Sequence, residues 1–178
     1  MLAPTPDVAA RAARITTLVL DVDGVLTDGR IIYDECGDEL KCFDVQDGTG
    51  LALWHRAGLK SAIITARKSR AVVRRAKEMR VDVIIQKALI KLTAYEKVLK
   101  RLRVTDEQVC AMGDDLMELP LLRRAGLAVA VSNGVDEVKT ASHYVTQRPG
   151  GRGAVREVIE LLLKTKGLWD SATSRYRS

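Results

Sequence analysis

Two aspartates one residue apart, Asp21 and Asp23, close the apolar run Ile15–Leu20 and lead directly into Gly24. Residues two apart on an extended backbone lean to the same side, so their carboxylates converge. Carboxylates held that close repel each other unless a cation or a proton is shared between them. One of them can then attack phosphorus as a nucleophile, and its neighbour can carry the proton that the leaving group needs. The competing assignment for the same residues is a helix N-cap followed by a solvated loop. Three further segments decide between these. Thr65 ends the apolar stretch 59–64, Gln86 with the following Lys91 comes after 81–85, and Asp114-Asp115 comes after 109–113.

Each of these polar groups ends a run with the composition of a strand. Residues 15–20, 59–65, 81–85, 109–112, 127–131 and 144–146 are short, apolar and rich in β-branched side chains, as strands buried on both faces are. Between them, apolar residues recur at helical spacing in 68–79, 91–102, 116–124, 136–141 and 154–164. Asp47-Gly48-Thr49-Gly50 opens a further helix that closes at Gly58. Pro120 predicts a break or a first-turn position within 116–124. Residues 30–33 and 40–43 flank Gly37 as a β-hairpin. Strands alternating with helices predict an α/β fold: a Rossmann-like parallel sheet flanked by helices, with a β-hairpin flap after the first strand and no cap domain. Such a sheet gathers the carboxyl ends of its strands on one rim, where open α/β sheets place their ligands. Four independent polar segments therefore meet there. The chain divides into an N-terminal extension over 1–14, a single domain over 15–167 and a polar C-terminal tail over 168–178, expected to be mobile.

Composition narrows the partners. The chain has 178 residues, 47% hydrophobic and 29% charged, the balance of a soluble domain with a sizeable core. No apolar run approaches the ~20 residues of a membrane span, and residues 1–14 lack the apolar segment of a signal peptide. Cys36, Cys42 and Cys110 lack metal-ligand spacing, so reduced thiols and a cytoplasmic location are expected. The net charge of +6 favours anionic partners. Much of it lies in 67–80, which has no interleaved aromatics, so a small anion at Arg67 is preferred over nucleic acid. A signalling receiver domain would carry its acceptor aspartate at the end of the third strand, where this chain has Gln86.

With a divalent cation between Asp21 and Asp114, the rim holds the parts for phosphoryl transfer. Hard oxygen ligands suit Mg²⁺, which accepts a substrate phosphate oxygen as a further ligand. Thr65 and the Lys91 ammonium would hold the remaining phosphoryl oxygens. Asp21 would attack phosphorus, and Asp23 would protonate the leaving alcohol and later take a proton from water.

The segments Asp21-Val22-Asp23-Gly24-Val25-Leu26-Thr27, Thr65, Lys91 and Gly113-Asp114-Asp115 resemble, in order, the four motifs of the haloacid dehalogenase superfamily. A hairpin followed directly by a helix is similar to its capless branch. Phe43-Asp44-Val45-Gln46-Asp47-Gly48, Tyr144-Val145-Thr146 and 150–157 resemble members that dephosphorylate eight-carbon keto-sugar acids for lipopolysaccharide precursors. The resemblance implies Asp21 as nucleophile and Mg²⁺ ligand, and Asp23 as acid/base with its backbone carbonyl on the metal. Asp114 would be the third protein ligand, and Thr65 and Lys91 the phosphate contacts. It further implies that Asp44, Val45, Gln46, Asp47, Gly48, Arg67 and Arg75 meet the sugar acid, and that the protein is a homotetramer whose hairpins cap neighbouring sites. Against the usual pattern the chain has Ala66 and Lys87 in place of glycines, Glu118 in place of an aspartate, and Ala52 in place of a basic residue. The alternatives are a nine-carbon keto-sugar acid phosphate as substrate, or a non-enzymatic phospho-accepting domain kept for regulation.

Overall fold

A computed structural model describes residues 4–176. Strand β1 (Thr17–Leu20) is followed by a hairpin of β2 (Ile32–Tyr33) and β3 (Glu39–Leu40), and then by β4 (Lys60–Ile64), β5 (Val83–Ile85), β6 (Val109–Gly113), β7 (Leu127–Ala130) and β8 (Tyr144–Val145). The hairpin is a sheet of its own, and the other six strands are parallel in the order β5-β4-β1-β6-β7-β8. The chain winds outward from β1 through β4 to β5, then returns to the other side of β1 for β6. That reversal opens a crevice at the carboxyl ends of β1 and β6, as the sequence pattern predicts.

The helices are α1 (Pro6–Arg14), α2 (Val45–Arg56), α3 (Arg70–Glu78), α4 (Lys91–Leu102), α5 (Leu119–Leu122), α6 (Asp136–Thr140), α7 (Ala154–Thr165) and α8 (Trp169–Thr173). Strand side chains alternate between two buried layers, as their period of two requires. Leu18, Leu20, Ile63, Met112 and Val129 pack with Leu51, Trp54, Val72, Val158 and Leu162 of α2, α3 and α7. Val19, Ala62, Ile64, Ala111 and Ala128 face the opposite way, onto Tyr95, Val98, Leu122 and Val138 of α4, α5 and α6.

Three local expectations change. Helix α2 begins at Val45 rather than Asp47, because Asp44 is its N-cap and accepts from the Gln46 amide at 2.6 Å. Gly48 and Gly50 thus lie inside a helix, where their low propensity is overridden by packing. A Cβ on Gly48 would stand 2.3 Å from the Arg75 guanidinium. Within 116–124 the chain makes a 3₁₀ turn, Leu116–Glu118, before α5, and Pro120 sits in the first turn of α5. Of the stretch 168–178 expected to be mobile, the described residues, through Tyr176, are largely helical and docked, and 177–178 lie outside them: Ala172 is buried and its carbonyl accepts from Arg56 Nη1 at 2.6 Å. The Trp169 ring meets Arg156 and Lys164, 5.4 and 4.9 Å from its centroid. Helix α1 likewise inserts Val8 and Ala12 into the core. No helix among the described residues is long and apolar enough to cross a membrane.

Candidate active site

Asp21 leaves the sheet one residue past β1, its amide donating to the Met112 carbonyl of β6. The next six residues curl into one turn around the Val22 carbonyl, which accepts from the amides of Val25, Leu26 and Thr27 at 2.9 to 3.3 Å. The buried Thr27 hydroxyl locks the turn by accepting from the Gly24 and Gly29 amides. Gly24 has φ +100°, and a Cβ there would lie 1.9 Å from Asp114 Oδ2. Glycine is therefore what lets the first and fourth segments meet. Gly150 does the same for the closing loop, since its Cβ would lie 1.6 Å from the Gly24 carbonyl oxygen.

Lys91, the first residue of α4, is buried and reaches back across the rim. Its ammonium donates to Asp21 Oδ1 at 2.5 Å and also to Glu118 Oε1. The other oxygen of Glu118 accepts from the Asp115 amide at 3.0 Å, while Asp115 caps the turn at Leu116. Glu118 thus orients both the lysine and the loop that carries Asp114. Carboxylate oxygens of Asp21, Asp114 and Glu118 lie within 4.8 Å of one another. Burial raises the pKa of Asp21, against the pull of Lys91. Burial, and then the charges of Asp21 and Glu118, push Asp114 up to about 7. Burial disfavours the Lys91 ammonium, but Asp21 and Glu118 outweigh it and hold its pKa above the usual lysine value. Three carboxylates with oxygens this close, Asp21 and Asp114 raised by burial and mutual repulsion, are a ligand set that fits a hard divalent cation beside the Lys91 ammonium.

Thr65 stands at the end of β4, buried, with its hydroxyl accepting from the Arg67 amide at 3.2 Å and retaining a proton to donate. Gln86 caps α3, its side-chain oxygen accepting from the Ser69 amide at 2.6 Å. Lys87 adopts φ 57°, the left-handed conformation that glycine usually supplies.

The hairpin contributes residues that the motif pattern misses. Lys41, just after β3, donates to Asp23 Oδ1 and lies 3.2 Å from Glu39 Oε1. Glu39 in turn accepts from Arg67 Nε at 3.0 Å and Nη2 at 2.7 Å, and Arg67 Nη2 also reaches the Tyr33 hydroxyl at 3.2 Å. Arg67 and Lys41 together hold the Glu39 carboxyl below its ordinary pKa despite burial. A signal was present in the sequence: Glu39 and Lys41 are two apart in an extended segment and so share a face.

The residues expected at the sugar acid are spread over several duties. Asp44 caps α2, and its carbonyl accepts from Arg75 Nη2 at 3.2 Å. Val45 is exposed, and Gln46 accepts from Arg148 Nη1 at 2.6 Å. Asp47 is buried and accepts from the Arg156 amide at 2.7 Å, in the first turn of α7. Gly48 lies under Arg75, and Ala52 lies lower on α2, in a groove shared with Met79 and Arg80. Thus Asp21, Thr65, Lys91 and Asp114 lie on the rim, whereas the Asp47 carboxyl is committed to α7.

An open parallel sheet with this donor set at its winding reversal defines an α/β phosphoryl-transfer enzyme. Residues 53–159 match the haloacid dehalogenase-like hydrolase family, and the chain belongs to that family. It is 42% identical over 166 residues to the 3-deoxy-D-manno-octulosonate 8-phosphate phosphatase KdsC of Escherichia coli K12, covering 93% of this chain and 88% of the relative. It is 41% identical to KdsC of Yersinia pestis over 94% of this chain and 89% of that protein. The crystal structure of the Moraxella catarrhalis phosphatase of the same name, in complex with magnesium ion, phosphate ion and KDO, superposes with a TM-score of 0.93 at 42% identity. That match covers 96% of this chain and 98% of the other.

Proposed function

We infer that this protein is a Mg²⁺-dependent phosphatase that hydrolyses 3-deoxy-D-manno-octulosonate 8-phosphate to the free sugar acid and phosphate, for lipopolysaccharide precursor synthesis. The observation that carries the reading is the meeting of Asp21, Lys91, Asp114 and Glu118 at one strand-end crevice, in a chain so similar to named phosphatases of that substrate. Asp21, Asp114 and the Asp23 backbone carbonyl would hold the metal. When bound, Mg²⁺ supplies the positive charge that lets one anion approach another. Thr65 and Lys91 bind the phosphoryl oxygens. Asp21 attacks phosphorus, the bond from phosphorus to the C8 oxygen breaks, and that oxygen takes the proton of Asp23. Water then attacks the same phosphorus and gives its proton to Asp23; the aspartyl–phosphorus bond breaks, freeing phosphate and restoring Asp21.

Arg67, Arg75 and the first turn of α2, Asp44 to Gly48, face the sugar acid, with Asp47 acting by its place in the backbone. A homotetramer is supported by exposed Ile31, Ile32, Tyr33 and Leu40 on the hairpin and by Leu89, Ile90, Leu116 and Met117 near the rim. Without a cap domain, a neighbouring subunit is the means of excluding water. A cytoplasmic location is consistent with the free thiols of Cys36, Cys42 and Cys110.

The test is phosphate release from a panel that includes the eight-carbon acid phosphate, a nine-carbon keto-sugar acid phosphate and hexose phosphates, with Asp21→Asn beside the parent. Expected is preference for the eight-carbon substrate and loss of activity in Asp21→Asn. Full activity in that variant would refute the mechanism, and preference for the nine-carbon compound would reassign the substrate.

A further inference from the structure

We propose that Lys41 of the hairpin is the positioning residue for Asp23, so that proton transfer depends on the flap being seated. The inference rests on the phosphatase reading above. Lys41 belongs to an otherwise exposed flap, yet its side chain is only 1% exposed. A lysine is enclosed this way only when its charge is matched, and here Asp23 and Glu39 match it. Among the described residues no other hydrogen-bond donor reaches the Asp23 carboxyl. The direction of that carboxyl is therefore set from the flap and not from the sheet that carries it. Glu39 anchors Lys41 in turn, and Glu39 is gripped by two nitrogens of Arg67, two residues past Thr65. The chain Asp23–Lys41–Glu39–Arg67 thus runs from the first motif to the second through the hairpin. Without the ammonium, the Asp23 side chain is free to rotate away from the line between leaving oxygen and incoming water. Small misplacements of a reacting group are costly in rate.

The two half-reactions separate this role from a general structural one. Both need Asp23 when the leaving group is a sugar alcohol. With p-nitrophenyl phosphate the first step needs no proton, because the phenolate leaves unaided, whereas the second still requires Asp23 to accept a proton from water. The experiment compares the full chain with Lys41→Met and Lys41→Arg, in Mg²⁺, by stopped-flow release of p-nitrophenolate and by steady-state turnover of 3-deoxy-D-manno-octulosonate 8-phosphate. In Lys41→Met the first equivalent of p-nitrophenolate should appear at close to the parental rate. Later turnovers should slow by roughly 10- to 100-fold, less than the ~10²- to 10⁴-fold contribution of an acid/base group itself. The sugar phosphate should lose turnover at least as much with KM little changed, and Lys41→Arg should recover most of it. If Lys41→Met does not fold, Lys41→Gln carries the same expectation. Turnover within about twofold of the parent on both substrates would overturn the proposal. So would equal slowing of the first and later turnovers. A parent inactive on both substrates would instead overturn the hydrolase reading, and with it the role of Lys41.

Discussion

The buried Asp47 carboxyl sits at the amino end of α7, accepting from the Arg156 amide at 2.7 Å and facing the Gly153 amide. Burial raises its pKa from the ordinary 3.8 to about 6. Below about pH 4 both the folded and the unfolded chain hold the proton. Between about pH 4 and 6 the unfolded chain ionises first, so unfolding releases a proton and stability falls as pH rises. Above about 6 the folded protein is ionised too, and the loss levels off. A shift of about two units at 1.36 kcal/mol each makes the total about 3 kcal/mol. Asp47→Asn keeps an acceptor for the Arg156 amide but cannot ionise. Its stability relative to the parent should therefore rise by up to about 3 kcal/mol between pH 4 and 7. Urea unfolding of both proteins at half-unit pH steps measures this, and the difference cancels the titration of every other group. Parallel profiles would refute the reasoning. A difference that moves in the parent's favour as pH rises from 4 to 7 would show that attraction between the carboxylate and the α7 terminus outweighs burial.

Three other perturbations have defined outcomes. Gly150→Ala forces a Cβ onto the Gly24 carbonyl, a backbone atom that no rotamer change can move; a loss of about 2–3 kcal/mol in thermal unfolding and at least tenfold lower phosphatase turnover are expected. Glu118→Gln leaves Asp21 as the one anionic partner of Lys91 among the described residues and, with a single acceptor oxygen in place of two, weakens the hold on the Asp114 loop. A rise of about 10-fold or more in the Mg²⁺ concentration for half-maximal activity is expected in a metal titration, as for other residues that orient ligands. Lys87→Gly relieves a left-handed lysine, and a gain of roughly 0.5–1 kcal/mol is expected by denaturant unfolding. No gain would refute the strain assigned to Lys87.

Much of this protein is written locally. Hydrophobic runs bounded by polar groups fix the strands, and the alternation of strands with helices fixes a parallel sheet. A parallel sheet then brings Asp21, Thr65, Lys91 and Asp114 to one rim whatever the details of packing. Asp115 as a cap, Pro120 in a first turn and the pairing of Arg156 with Glu160 at 2.7 Å are also short-range consequences of residue type. Other features exist only because distant segments meet. The start of α2 is marked by the short-range Asp44 cap, but the space that Arg75 needs above Gly48 and the α7 terminus that claims Asp47 are contacts that no window of sequence contains. Docking of 169–173 depends on Arg56 and on the Trp169 ring finding α7. The link from Asp23 through Lys41 and Glu39 to Arg67 needs the hairpin folded back over the crevice. The sequence by itself determined which groups gather at the rim, because strand ends in a parallel sheet have one destination. Tertiary structure alone decided what holds those groups in place, because the partners of a side chain in the folded protein are set by packing rather than by their distance along the chain.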